Sequence, residues 1–301
     1  MFRSVEEVEE KLRESGYVAG REIATAVYLA EKLQKPILVE GPAGVGKTDL
    51  ARAVAEASGR ELVRLQCYEG LDESKALYEW EYSKQLLYTQ ILRDVLGREL
   101  TGVSSVREAV DRLAGQDSVF FSRHFLVPRP LLKAITSESP SLLLIDEVDK
   151  ADPEFEAFLL ELLGDYQVTI PEIGTVKAKH IPLAIITSNN SRELGDALKR
   201  RCLHLFIDFP DRERELEIVR LKVPGIDEAL AGQVVRAVHR LREMGMKKAP
   251  GISETIDWAR ALIALGAERL DARVASETLS VILKYEKDLA RARENLREVL
   301  G

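Results

Sequence analysis

The chain has 301 residues, 46% hydrophobic and 31% charged, enough to bury a sizeable core and to divide into two domains. Its formal net charge of −7 argues against a nucleic-acid binder, which normally carries a basic excess. No apolar run reaches the roughly 20 residues of a membrane span, the acidic stretch from Met1 to Glu7 has no apolar signal core, and Cys67 and Cys202 lack metal-type spacing. A cytoplasmic protein with two reduced thiols is expected.

Residues 4–14 and 21–34 carry polar and apolar residues at helical spacing. The run P-I-L-V-E at 36–40 predicts a short buried parallel strand. A helix is expected over 49–58 and a second strand over 61–66. The stretch 68–135 reads as inserted material and opens on Tyr68, Tyr78, Trp80, Tyr82 and Tyr88. Without an excess of interleaved basic residues, these aromatics suit core or interface packing better than a base-stacking platform. A strongly apolar third strand is expected over 142–145, after the breaker Ser139-Pro140-Ser141. A helix follows over 153–163, with Asp152 as its N-cap. Segments 168–170 and 175–178, joined by Pro171-Glu172-Ile173-Gly174, predict a β-hairpin. Fourth and fifth strands are placed at 181–187 and 204–209, the latter ending at Pro210.

Strands alternating with helices predict an α/β fold with a parallel five-stranded sheet sandwiched by helices. Beyond Pro210 only helices are expected, over 211–222, 227–244, 253–265 and 272–299. The chain therefore divides into an αβα domain at 1–210 and an all-helical C-terminal domain at 211–301. The charge-rich end, 284–299, reads as a solvated helix face.

Residues 41–48 read Gly41-Pro42-Ala43-Gly44-Val45-Gly46-Lys47-Thr48, which matches G-x-x-x-x-G-K-[ST] at every fixed position. The pattern lies between an expected strand and an expected helix, as a phosphate-binding loop requires. Glycines let backbone N–H groups converge on phosphate oxygens, and the helix N-terminus faces the same anion. Lys47 brings a mobile ammonium to the phosphates, the Thr48 hydroxyl is a Mg2+ ligand, and Asp49 opens the helix. The strand L-L-L-I then ends in Asp146 and Glu147. Side chains alternate along a strand, so the two carboxylates take different roles. Asp146 suits the Mg2+ shell, reached through water, and Glu147 suits orienting and activating the attacking water. ATP and Mg2+ are the expected cofactors. The four histidines are dispersed and show no ligand spacing.

The order of this loop, the Asp-Glu pair, a later polar strand end, a basic pair and a helical C-terminal domain resembles AAA+ ATPases over nearly the whole chain. The resemblance implies a lid role for residues 211–301. Ile185-Ile186-Thr187-Ser188-Asn189 looks like the strand bearing the sensor-1 residue, which would be Asn189, with Asn190 as the neighbouring alternative. Lys199-Arg200-Arg201-Cys202 falls where the family places its arginine finger, which would be Arg201, with Arg200 as the alternative. Tyr17-Val18-Ala19 resembles the segment that packs on adenine, where Val18 would contribute backbone contacts. Gln66, at the end of the second strand, suits a plain strand-end hydrogen bond, and it also resembles the polar residue that holds the catalytic glutamate inactive in related ATPases.

The hairpin and the insert are both found in MoxR-type ATPases. The strings R-L-Q-C-Y-E-G-L-D-E-S-K-A-L-Y-E-W and G-P-A-G-V-G-K-T look closest to the CoxD-like subgroup. That resemblance implies a hexameric ring, a partner with a von Willebrand factor A domain, and a protein client. The client would be a molybdenum hydroxylase such as carbon monoxide dehydrogenase, matured by a remodelling chaperone. Two other readings stay open: a nucleic-acid-dependent motor, and a nucleotide switch with little turnover. One departure is visible: Ala249-Pro250-Gly251-Ile252-Ser253-Glu254-Thr255-Ile256 holds no arginine where MoxR-type lids carry the sensor-2 residue. Lys247, Lys248 and Arg260 are the nearest substitutes.

Overall fold

The computed structural model describes residues 2–91, 105, 122–171 and 173–301. Its strands are β1 (Ile37–Glu40), β2 (Glu61–Gln66), β3 (Tyr78–Trp80), β4 (Leu126–Pro128), β5 (Ser141–Asp146), β6 (Gln167–Ile170), β7 (Gly174–Lys177), β8 (Leu183–Ser188) and β9 (Leu203–Phe206). Five of them form a parallel sheet in the order β2-β5-β8-β1-β9, and helices flank it. The remaining four make two antiparallel pairs, β3 with β4 and β6 with β7. The chain folds as two compact units. One gathers residues 1–59, 185–193 and 202–301, and the other 60–184 and 194–201.

In the first unit, β1 lies between β8 and β9, with Ile37 opposite Ile185 on one side and Leu203 on the other. All four β1 residues are buried, as expected of a strand covered on both faces. The helix after it, Lys47–Ser58, starts two residues earlier than its apolar pattern predicts. Gly46, at φ +94°, makes the turn and leaves Lys47 already helical. The fifth strand likewise ends at Phe206 rather than at 209, although Ile207 N–H still reaches Glu40 O at 2.8 Å.

The helical part of this unit packs Val219, Val234, Val238, Leu241, Trp258, Leu262 and Leu279 into one core. Asp211, Asp227 and Asp271 cap three of its helices by accepting N–H groups of the first turn. The single helix expected over 272–299 is three: Ala272–Ile282, Glu286–Glu294 and Leu296–Leu300. Leu283 adopts an extended conformation and buries its side chain, which ends the first helix. Residues 284–299 are also not a wholly solvated face. Ala292 and Val299 are buried, and the buried Asp288 accepts from the N–H groups of Lys247 and Lys248 at 2.9 and 3.3 Å. Core packing here overrides a charge pattern that reads as surface.

In the second unit, β2 and β5 run parallel in register, Gln66 opposite Asp146. All six β5 residues are buried. The helix Pro153–Asp165 begins with Asp152 at the N-cap position, but its carboxylate makes no cap hydrogen bond. It accepts instead from Gly70 N–H at 3.2 Å, so a loop contact takes the oxygen that local sequence assigns to the helix. Of the insert aromatics, Trp80 is buried against Tyr78, whereas Tyr68, Tyr82 and Tyr88 are exposed. The hairpin β6–β7 forms as expected, with Val168 opposite Val176. Its turn residue Glu172, and the insert residues 92–104 and 106–121, lie outside the described residues.

Candidate functional site

The loop 41–48 needs its glycines for shape. Gly41 has φ +150°, and a Cβ there would stand 2.0 Å from the Ile207 carbonyl oxygen. Gly44 has φ +81°, with Glu254 Oε2 and the Gly251 Cα about 3 Å from its would-be Cβ. Lys47 is buried, and its Nζ donates at 2.7 Å to each of three neutral oxygens: Gly41 O, Pro42 O and Asn189 Oδ1. The ammonium is thus held inside the loop. Val45 is buried behind the loop, Thr48 is half-buried, and Ala43 is exposed. Asp49 pairs with Lys222 at 2.9 Å.

Asn189 brings its side chain to Lys47. Asn190 turns away in a left-handed conformation, φ +56°, with its N–H on Ser188 Oγ at 3.0 Å. Near the loop, Tyr17 is buried, and burial pushes its phenol pKa far up. The Val18 carbonyl accepts from Arg214 Nη2 at 2.9 Å. Arg214 and Lys222 lie on the helix Arg212–Lys222, and no sequence motif singled them out. Their spacing is that of an ordinary surface helix.

The region without an arginine meets the loop through its main chain. Ile252 N–H donates to Gly44 O at 2.8 Å, at the start of the helix Ile252–Ala264. Glu254 closes that helix end by accepting from Gly251 N–H at 3.0 Å. Lys248 stands 3.9 Å from Glu254. Arg260 is 3.9 Å from Asp257 and donates to Lys222 O at 3.2 Å.

The carboxylate pair belongs to the other unit. Asp146 ends β5 with its side chain only 2% exposed. Its Oδ2 accepts from Arg64 Nε at 3.0 Å and Nη2 at 2.5 Å. The next residue, Glu147, leaves the strand in the left-handed region, φ +57° and ψ +51°. For a residue with a Cβ this conformation costs about 1–3 kcal/mol, and such strain clusters at functional sites. Glu147 Oε2 accepts from Gln66 Nε2 at 2.8 Å and from Lys150 Nζ at 2.6 Å. That hydrogen bond raises the pKa of Lys150. Arg64 also donates to Gln66 Oε1, so four residues form one chain from Asp146 to Glu147.

Arg200 and Arg201 end the helix Asp196–Arg201 and are both exposed, with Arg201 Nη1 3.5 Å from Ala197 O. Among the described residues, no cluster of three His, Cys, Asp or Glu side chains is built to hold a metal. No described helix is long and apolar enough to cross a membrane.

Residues 21–171, half of the chain, match the AAA ATPase domain. The protein belongs to this family. The matched span contains the loop, both carboxylates and the whole insert. The AAA chain is 27% identical over 220 residues to the gas vesicle ATPase GvpN of Haloferax mediterranei, a match covering 69% of this chain and 57% of that protein. It is 27% identical over 240 residues to an uncharacterised Staphylococcus haemolyticus protein, covering 77% of each. Among solved structures, the Thermotoga maritima RuvB Holliday junction branch migration motor aligns with a TM-score of 0.45 at 17% identity, over 91% of this chain and 69% of that one. Family membership establishes a nucleotide-binding ATPase domain. The subgroup is a finer matter.

Proposed function

We propose that this AAA ATPase binds ATP with Mg2+ and hydrolyses it to remodel a protein client. The observation that carries the reading is Lys47, a buried ammonium held by Gly41 O, Pro42 O and Asn189 Oδ1 inside a glycine loop with no room for a Cβ at Gly41. Such a cradle suits a phosphate chain, to which the helix Lys47–Ser58 presents its N-terminus. Gly41, Pro42, Ala43, Gly44, Val45, Gly46, Lys47, Thr48 and Asp49 are assigned to the phosphates, and Val18 to the adenine side.

The Thr48 hydroxyl and the Asp146 carboxylate are hard oxygen donors of the kind Mg2+ takes, and Asp146 already holds a cationic group. When bound there, the ion would neutralise charge on the phosphates. Glu147 accepts a proton from water and orients it, a role that requires release from Gln66 and Lys150. Asn189 positions Lys47 and senses the phosphate end. Arg201, or Arg200 beside it, is exposed as an arginine serving a neighbouring subunit must be, and such a group is worth roughly 10³–10⁵ in rate.

The finer assignment is a MoxR-type, CoxD-like chaperone. It would work as a hexameric ring with a von Willebrand factor A partner and mature a molybdenum hydroxylase. The β6–β7 hairpin, the insert after β2 and the similarity to GvpN support the MoxR-type part of this reading. The CoxD-like part rests on the strings around residues 41–48 and 64–80.

The test uses two variants. Lys47→Ala loses nucleotide binding by about 10²-fold, because it removes a charged partner of the phosphates. Glu147→Gln keeps binding and loses turnover by about 10²-fold or more. Full turnover in Glu147→Gln would refute the assignment.

A further inference from the structure

The chain of contacts between the two carboxylates has a direction, set by donor chemistry. A guanidinium only donates, so the Gln66 oxygen must face Arg64. That leaves the Gln66 NH2 pointing the other way, where it donates to Glu147 Oε2 at 2.8 Å. The same guanidinium grips Asp146 Oδ2 through Nε and Nη2. Register makes this possible. Gln66 lies directly opposite Asp146, and Arg64 sits two residues back on the same face of β2. All four residues belong to one compact unit.

We propose that Arg64 is a positioning residue that couples metal loading at Asp146 to release of Glu147. This rests on the nucleotide reading above and adds to it a residue no motif assigns. With Arg64 on Asp146, the Gln66 amide is held in the one orientation that restrains Glu147. The guanidinium would have to yield the Asp146 carboxylate for a divalent ion to be held there. As Arg64 lets go, Gln66 loses the donor that fixed its amide, and its restraint on Glu147 loosens. The arrangement delays the base until the metal is in place.

Mn2+ titration in the presence of ADP, followed by electron paramagnetic resonance, reads the competition without any turnover. Arg64→Ala removes the competitor, and half-saturation by Mn2+ moves about tenfold lower, the scale of one charge-assisted contact. Arg64→Lys retains a cation beside Asp146 and restores wild-type half-saturation, which a purely structural role would not predict. Turnover before partner addition rises for Arg64→Ala and, in a further variant, for Gln66→Ala. Unchanged Mn2+ half-saturation in a folded Arg64→Ala that still binds ADP overturns the role of Arg64 alone. Failure of the wild-type protein to bind Mn2+ and ADP overturns the nucleotide reading, and this inference with it.

Discussion

Glu215 and Arg242 form a buried ion pair in the helical region, and its removal makes a sharp test of what holds that region together. Glu215 is fully buried and the Arg242 side chain is 9% exposed. The pair is bidentate, Nη1 to Oε2 at 2.6 Å and Nη2 to Oε1 at 2.8 Å. Thr255 Oγ1 adds a third hydrogen bond to Oε1 at 2.6 Å, Arg242 Nε donates to Pro250 O at 2.8 Å, and the guanidinium lies over the Phe209 ring. Replacing Arg242 with Met takes the guanidinium from the buried Glu215 carboxylate and leaves it to Thr255 and to His239, whose Nε2 lies 2.9 Å from Oε2, which costs about 3 kcal/mol. For a chain of this size that lowers Tm by on the order of 10 °C. Replacing both, Arg242→Met with Glu215→Leu, removes the buried charge and recovers most of the loss. Thr255 stays satisfied because its hydroxyl also bonds Gly251 O at 3.0 Å. Urea unfolding followed by Trp258 fluorescence, in a Trp80→Phe background, reports this region directly, since Trp258 is buried in its core. A double variant no more stable than Arg242→Met would refute the reasoning. A loss below about 1 kcal/mol in the single variant, the scale of an exposed pair, would refute it too.

Tyr17 supplies a pH test. Burial raises its phenol pKa above the ordinary 10.0, so its contribution to stability is full below pH 10 and is lost as pH rises beyond. Between pH 10 and 11 the wild type should lose up to about 1.4 kcal/mol per pH unit more than Tyr17→Phe; parallel urea-derived stability curves would disprove burial of the phenol. Arg201→Ala should keep nucleotide affinity and lose turnover by about 10³-fold. Mixing it with Glu147→Gln should restore activity, since each subunit supplies what its neighbour lacks. Two inactive proteins that stay inactive when mixed would rule out an arginine acting between subunits.

The parallel sheet was legible because its strands are short apolar runs between helical patterns, and β1, β5 and β8 are buried along their whole length. The glycine loop was equally legible, since the turn and the close approach of Ile207 at Gly41 admit only glycine. The break at Leu283 was not legible, because nothing local stops a helix there and only the core draws that side chain inward. Asp152 shows the same limit. Its sequence position promises a cap, yet Gly70, far away along the chain, takes the carboxylate.

Sequence alone determined the elements whose cause is local: the loop residues, the identity of Asp146 and Glu147, the hairpin and the helical C-terminal region. Tertiary structure alone decided which polar groups meet. It set Arg64 on Asp146, Gln66 and Lys150 on Glu147, Arg214 on Val18, and the main chain of Ile252 on Gly44 where an arginine is missing. The physical reason is range. Turn geometry and strand burial act over a few neighbouring residues, whereas a salt bridge between β2 and β5 depends on a register that exists only once the sheet has formed.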